Sequence, residues 1–175
     1  MKKTVALFTI TLVLTASSLF AQTPLKEYKA GHIFYISLPD YMSRTVELNN
    51  SAIIQYKSAV KDVYGFVIED NKEELALAQL NYVSLAEFYE DFIKDFVREE
   101  DKRMVSKPIF KQIGATNFVE SDVTYFDKEA TIDIYYLVGI VETKDAFYKV
   151  LSWSSAENKD KFKADFQKIL YSLKD

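Results

Sequence analysis

The chain has 175 residues, a net charge of −4 and no cysteine. That length fits one domain with volume for a hydrophobic core, and the missing thiols exclude a disulfide framework, a cysteine nucleophile and lipid attachment at cysteine. The acidic balance argues against nucleic acid and anionic lipid as partners, while a composition that is 49% hydrophobic and 15% aromatic predicts a sheet-rich core.

Lys2 and Lys3 precede an apolar run from Val5 to Leu14 and a small-residue zone ending at Ala21, the three-part layout of a secretory signal peptide. Residues 1–21 therefore read as a leader, cut after Ala21 or, with Ala16 at minus three, after Ser18. Thr9 and Thr11 interrupt the run and Thr15 ends it, short of the roughly 20 residues a membrane span needs, so no stable insertion is expected after cleavage. Loss of the two lysines leaves 20 basic residues against 26 acidic ones, a net charge of −6. Export without disulfides points to a bacterial periplasm or the medium outside the cell.

Residues 22–30 read as a short polar lead-in, and a globular domain is expected over 31–175. HIFYISL (32–38) predicts a strand closed by Pro39 and Asp40. RTVEL and SAIIQYKSA bracket Asn49-Asn50 as a hairpin, and VYGFVIE (63–69) predicts a third strand. Asp70 with Glu73 has the spacing of a capping box before a short helix over 71–80. Ser84 with Glu87 repeats it, and Leu85, Phe88, Tyr89, Phe92, Ile93, Phe96 and Val97 follow in steps of three and four, one stripe of an amphipathic helix. Glu99-Glu100-Asp101-Lys102-Arg103 reads as the solvated end of that helix.

KPIFKQIG (107–114), NFVESDVTYF, ATIDIYYLVGIV and AFYKVLSWS predict four strands, the last three joined by short polar connections at 127–130 and 142–145. Ser154 and Glu157 are placed to cap a final helix with Phe162, Phe166, Ile169, Leu170 and Leu173 as its apolar stripe. The stripe is worth more than the cap, since full burial contributes about 1.5–3 kcal/mol per side chain against roughly 1 kcal/mol for capping. The expected class is α+β, an antiparallel sheet flanked by helices on both faces in the order βββαββββα.

If both connections preserve parity, paired residues share a face. One face then carries Val119, Val123, Tyr125, Ile132, Ile134, Tyr136, Val138, Ile140, Phe147, Leu151 and Trp153, and must lie under a helix. The other carries Glu120, Asp122 and Asp133 towards a wet end, and Leu137, Tyr148 and Val150 towards an end covered by the second helix. Glu120, Asp122, Asp133 and Tyr135 are the candidate ligand-binding residues, with calcium as the hard cation that such oxygens would take, although the glycine-bearing loop of a dedicated calcium site is missing.

No catalytic set is found. His32 is the one histidine, which excludes a histidine-rich metal site, and no Gly-x-Ser-x-Gly elbow accompanies it. Gly31, Gly65, Gly114 and Gly139 are too scattered for a phosphate-cradling loop. No cofactor is expected.

FYISLPDYM, SLAEFYEDFIKDF, IGATNFVESDVTYF, AFYKVLSWSS and FKADFQKILYSL together resemble the PsbP-like family over residues 28–174, a family whose fold is shared with a Ran-binding nuclear import factor and bacterial DcrB. The resemblance implies an α-β-α sandwich and a binding or accessory role, with no catalytic residues to carry over. The expected function is thus an exported, non-catalytic interaction module with a protein partner; the alternative is a small-ligand or metal-ion binder using the acidic sheet face.

Overall fold

In the computed structural model, residues 23–31 and 33–175 are described; residues 1–22, which hold the expected leader, and His32 lie outside them. In chain order the elements are β1 (Leu25–Ala30), β2 (Phe34–Pro39), β3 (Ser43–Thr45), β4 (Ile54–Ser58), β5 (Val63–Asn71), α1 (Lys72–Leu77), α2 (Leu85–Asp95), β6 (Asp101–Val105), β7 (Ile109–Ile113), β8 (Thr116–Asp127), β9 (Ile132–Glu142), β10 (Ala146–Ser155) and α3 (Lys159–Tyr171). The main sheet is antiparallel, in the order β3-β4-β5-β10-β9-β8-β6, with β7 also on β8 beyond the end of β6.

The two long hairpins keep the expected parity, with Val119 opposite Ile140, Val123 opposite Tyr136 and Leu151 opposite Val138. α2 covers that face: Leu85, Phe88 and Tyr89 pack on Val119, Ile140 and Phe147, while Phe92 and Ile93 reach Phe66, Val123, Val138 and Leu151. The Phe88 and Phe147 rings stack at 4.2 Å. α3 lies on the opposite face, where Phe162, Phe166, Ile169, Leu170 and Leu173 join Tyr135, Leu137, Tyr148 and Val150. The resulting α-β-α sandwich has the predicted class and the predicted succession of strands, helix, strands and helix.

Several elements differ from the sequence reading. The lead-in is strand β1, which pairs with β2 through residues 25–39 and extends the cover of α3; only Ala30 of it is buried, so backbone pairing holds it in place of apolar burial. The Asn49-Asn50 turn is a longer loop, in which the Gln55 side chain accepts from the N–H groups of Leu48 and Asn49 and donates to the Asn49 carbonyl. Asn71, not Asp70, caps α1; the Asp70 carboxylate is engaged instead with Lys149, 2.8 Å away.

The Glu99–Arg103 run is no helix end: α2 stops at Asp95 and residues 101–105 form β6. From β6 the Arg103 guanidinium reaches back to donate to the carbonyls of Ile93 and Phe96. It thereby satisfies two of the C-terminal acceptors that a helix leaves open. Ser154 is buried in β10 and does not cap α3, which follows a 3-10 turn at Ala156–Asn158 and has no side-chain cap. Docking of its apolar stripe therefore holds α3 without help from a cap.

Candidate functional site

The acidic face departs from the expected wet surface because α3 spans it. Glu120 is 2% exposed. Its Oε1 accepts from Gln167 at 2.7 Å and its Oε2 from the Tyr171 hydroxyl at 3.0 Å. Asp122 accepts from Tyr135 at 2.9 Å through Oδ1, and its Oδ2 sits 2.7 Å from Lys163 and 2.9 Å from Lys159. The acids alternate with apolar residues because the helix carries polar partners on the flank of its apolar stripe.

The structure brings Glu120, Asp122 and Tyr135 together under α3 and leaves Asp133 apart, exposed near the turn opposite Phe126. Asp133 instead lines a hollow of about 340 Å³ with Lys102, Met104, Thr124, Tyr125 and Ala156. Among the described residues no three histidine, cysteine, aspartate or glutamate side chains converge as a metal cluster.

Burial opposes ionisation of Asp122, yet the bonds from Lys163, Lys159 and Tyr135 outweigh it and hold the carboxyl below its ordinary value. Burial first, and then the Asp122 charge, push the Tyr135 phenol upward, so it remains the donor of the pair. A carboxyl with a depressed pKa in the folded state adds stability above its unfolded pKa of about 3.9, and that stability is lost as pH falls through the lower folded value. Asp122→Asn is therefore expected to lower the urea midpoint at pH 7, with the gap to the parent chain closing as pH falls below the unfolded pKa of about 3.9. A gap that stays constant down to pH 2.5 would show that the ion pairs add nothing.

A second region was not visible in the sequence reading. β7 is an edge strand whose residues are all exposed, including Ile109 at 56%, Phe110 at 51% and Ile113 at 44%. Beside it the chain before α2 leaves Val83 90% exposed. Between them lies a cleft of about 520 Å³, walled by Val83–Ala86 on one side and Phe110–Gln112 on the other, with Asn117 and Glu142 at its floor.

Local chemistry fixes one wall and the floor. The Ser84 hydroxyl accepts from the Glu87 N–H at 3.2 Å and the Glu87 carboxylate accepts from the Val83 N–H at 2.7 Å, so the start of α2 is pinned from both sides. Glu142 accepts from Asn117 and from Lys72, which holds the floor. On the other side of the edge, the Lys111 ammonium lies 4.2 Å from the centre of the Tyr171 ring. The signal for this region was the segment IFKQI itself, whose apolar side chains fall on both faces while Pro108 precedes it. At this edge neither face of the strand is covered.

These features define the class: the chain has the PsbP-like fold. No family model matches the chain, and no curated protein matches it. Cyanobacterial PsbP (CyanoP) from Synechocystis is similar at a TM-score of 0.61 with 11% identity, over 92% of this chain and 98% of that one. LpqN, involved in cell envelope biogenesis of Mycobacterium tuberculosis, is similar at 0.55 with 7% identity, over 86% and 89%. A protein of unknown function from Pseudomonas aeruginosa, PA94, is similar at 0.50 with 9% identity, over 82% and 92%. At these identities the likeness is one of fold.

Proposed function

We propose that the protein is an exported, non-catalytic accessory module of the bacterial envelope or medium, and that it works by docking another protein at the β7 edge and the adjoining cleft. The observation that carries this reading is the concentration of Ile109, Phe110, Ile113 and Val83, all exposed, around one open edge. Exposed apolar residues gathered with an aromatic anchor are the composition of an interface core. The leader at residues 1–21 and the involvement of LpqN in envelope biogenesis support the location. A ligand role for Glu120, Asp122 and Tyr135 has less in its favour, because the carboxylates of Glu120 and Asp122 already accept from α3 and the Tyr135 hydroxyl already donates to Asp122.

Photo-crosslinking in the native host tests the reading. A benzophenone side chain in place of Phe110 is expected to yield a discrete protein adduct, whereas the same group in place of Arg44, on the β3 edge of the sheet, yields none. Phe110→Ala should weaken the complex about tenfold or more, as truncation of a central aromatic anchor does. Absence of an adduct from position 110 in folded, exported protein, or equal labelling from both edges, would refute the assignment.

A further inference from the structure

The backbone of β7 carries a more specific conclusion. Gly114 and Ala115 alone connect β7 to β8, and in a two-residue hairpin the flanking residues, here Ile113 and Thr116, form the closing hydrogen-bonded pair. Pairing then alternates along the register, so Ile109 and Lys111 direct their N–H and C=O groups to β8, and Phe110 and Gln112 direct theirs away from the sheet. Among the described residues nothing partners these outward groups. A row of free donors and acceptors is a template for another strand.

A second copy of the chain is the simplest occupant, and its geometry is poor. Two antiparallel β7 strands centred on Lys111 would use every outward group but set Lys111 directly against Lys111 of the other copy, a like-charge pair that destabilises the ladder. Centring the axis on Phe110 instead puts Gln112 opposite Pro108, which has no N–H, and centring it on Gln112 puts Phe110 opposite Gly114 in the turn. Lys111 therefore disfavours self-pairing and favours an acid in the same place.

We infer that β7 accepts an extended segment of a different polypeptide as an added antiparallel strand, with a carboxylate opposite Lys111 and an apolar residue on each side of it. This conclusion rests on the docking role proposed above and names its partner chemistry. The two apolar side chains pair with Phe110 and Gln112, which share the face covered by α2, and so fall at the mouth of the cleft beside Val83. The carboxylate falls on the α3 side, where the Tyr171 ring holds the Lys111 ammonium. Backbone bonds supply affinity and the alternating side chains supply selection, as in other strand-addition complexes.

The test uses the mature chain and three blocked heptapeptides: Thr-Thr-Val-Glu-Val-Thr-Thr, the same peptide with lysine at its centre, and the glutamate peptide with both valine nitrogens methylated. Amide hydrogen exchange read by NMR is expected to slow at least tenfold at Phe110 and Gln112 on saturation with the glutamate peptide, with no change at Ile109 and Lys111. The glutamate peptide should bind at least fivefold tighter than the lysine peptide, the order should reverse in Lys111→Glu, and methylation should abolish binding. Gln112→Pro removes an N–H that β8 does not use, so it should keep the protection of Lys111 and Ile113 and lose the peptide.

Equal binding of the methylated peptide, or saturation without protection of Phe110 and Gln112, overturns strand addition. So does a dimer of the parent chain that Gln112→Pro dissolves, since the occupant is then a second copy. A crosslinked adduct at position 110 that survives Gln112→Pro also overturns strand addition but leaves the docking role standing.

Discussion

Phe166→Ala is expected to remove about 3–5 kcal/mol of stability, the range for truncating a large buried aromatic side chain. Phe166 is fully buried at the centre of α3, with its ring stacked 6.2 Å from both Tyr135 and Phe162. α3 has no side-chain cap, so its attachment depends on this stripe and on the acids beneath it. Since a domain holds only about 5–15 kcal/mol in total, the loss takes between about a fifth and all of it. Urea unfolding followed by far-UV circular dichroism measures it. A lower midpoint with an unchanged slope means that helix and sheet unfold together, and a shallower or divided transition means that α3 leaves first. Lys161→Ala, on the exposed side of the same helix, should stay within about 0.5 kcal/mol of the parent. A loss under about 1 kcal/mol for Phe166→Ala would contradict the view that this stripe holds the sandwich closed.

The same stripe shows what was legible in the sequence. Phe162, Phe166, Ile169, Leu170 and Leu173 recur at helical spacing, and residues at that spacing can be buried by one surface whatever its details. The two faces of the β8–β9–β10 meander were legible for a similar reason, because short connections preserve parity and parity assigns every side chain. The burial of Glu120 was not legible. It depends on Gln167 and Tyr171, which lie 47 and 51 residues further along the chain and arrive only when α3 docks. A carboxylate alternating with apolar residues has the same pattern whether water or a helix covers it.

β1 was missed because LKEYKA has too little apolar alternation to announce a strand, and its ladder with β2 is made by backbone groups that every sequence possesses. The spacing of Arg103 is compatible with a charged helix end; its actual role depends on β6 lying against the end of α2. β7 was recognised as a strand but not as an exposed edge. Exposure follows from strand order, and order is set by which elements meet across the whole chain. The candidate interface was therefore hidden although its residues were in plain view.

Gly65→Ala is expected to cost about 3 kcal/mol or more, the upper part of the range for inserting atoms into a filled core. Gly65 sits in β5 between Tyr56 of β4 and Ser152 of β10. The Tyr56 ring lies across the glycine, and its hydroxyl meets the Ser152 hydroxyl at 2.9 Å in the buried interior. A Cβ at Gly65 would come within 2.5 Å of Tyr56 Cζ and 2.7 Å of the Leu151 carbonyl oxygen. The ring has little room to turn, and turning it would strip the partner from Ser152, leaving a buried hydroxyl unsatisfied at about 1–3 kcal/mol. The Leu151 oxygen belongs to the sheet backbone and cannot move without distorting β10. Gly114→Ala provides the contrast, since its Cβ would meet nothing within 4 Å and the strain comes only from a φ of +61°; that change should cost about 1 kcal/mol. Thermal unfolding of the two variants beside the parent decides the matter. A Gly65→Ala protein as stable as Gly114→Ala would mean that Tyr56 can leave its place over the strand, and that the packing of β4 against β10 is looser than its contacts imply.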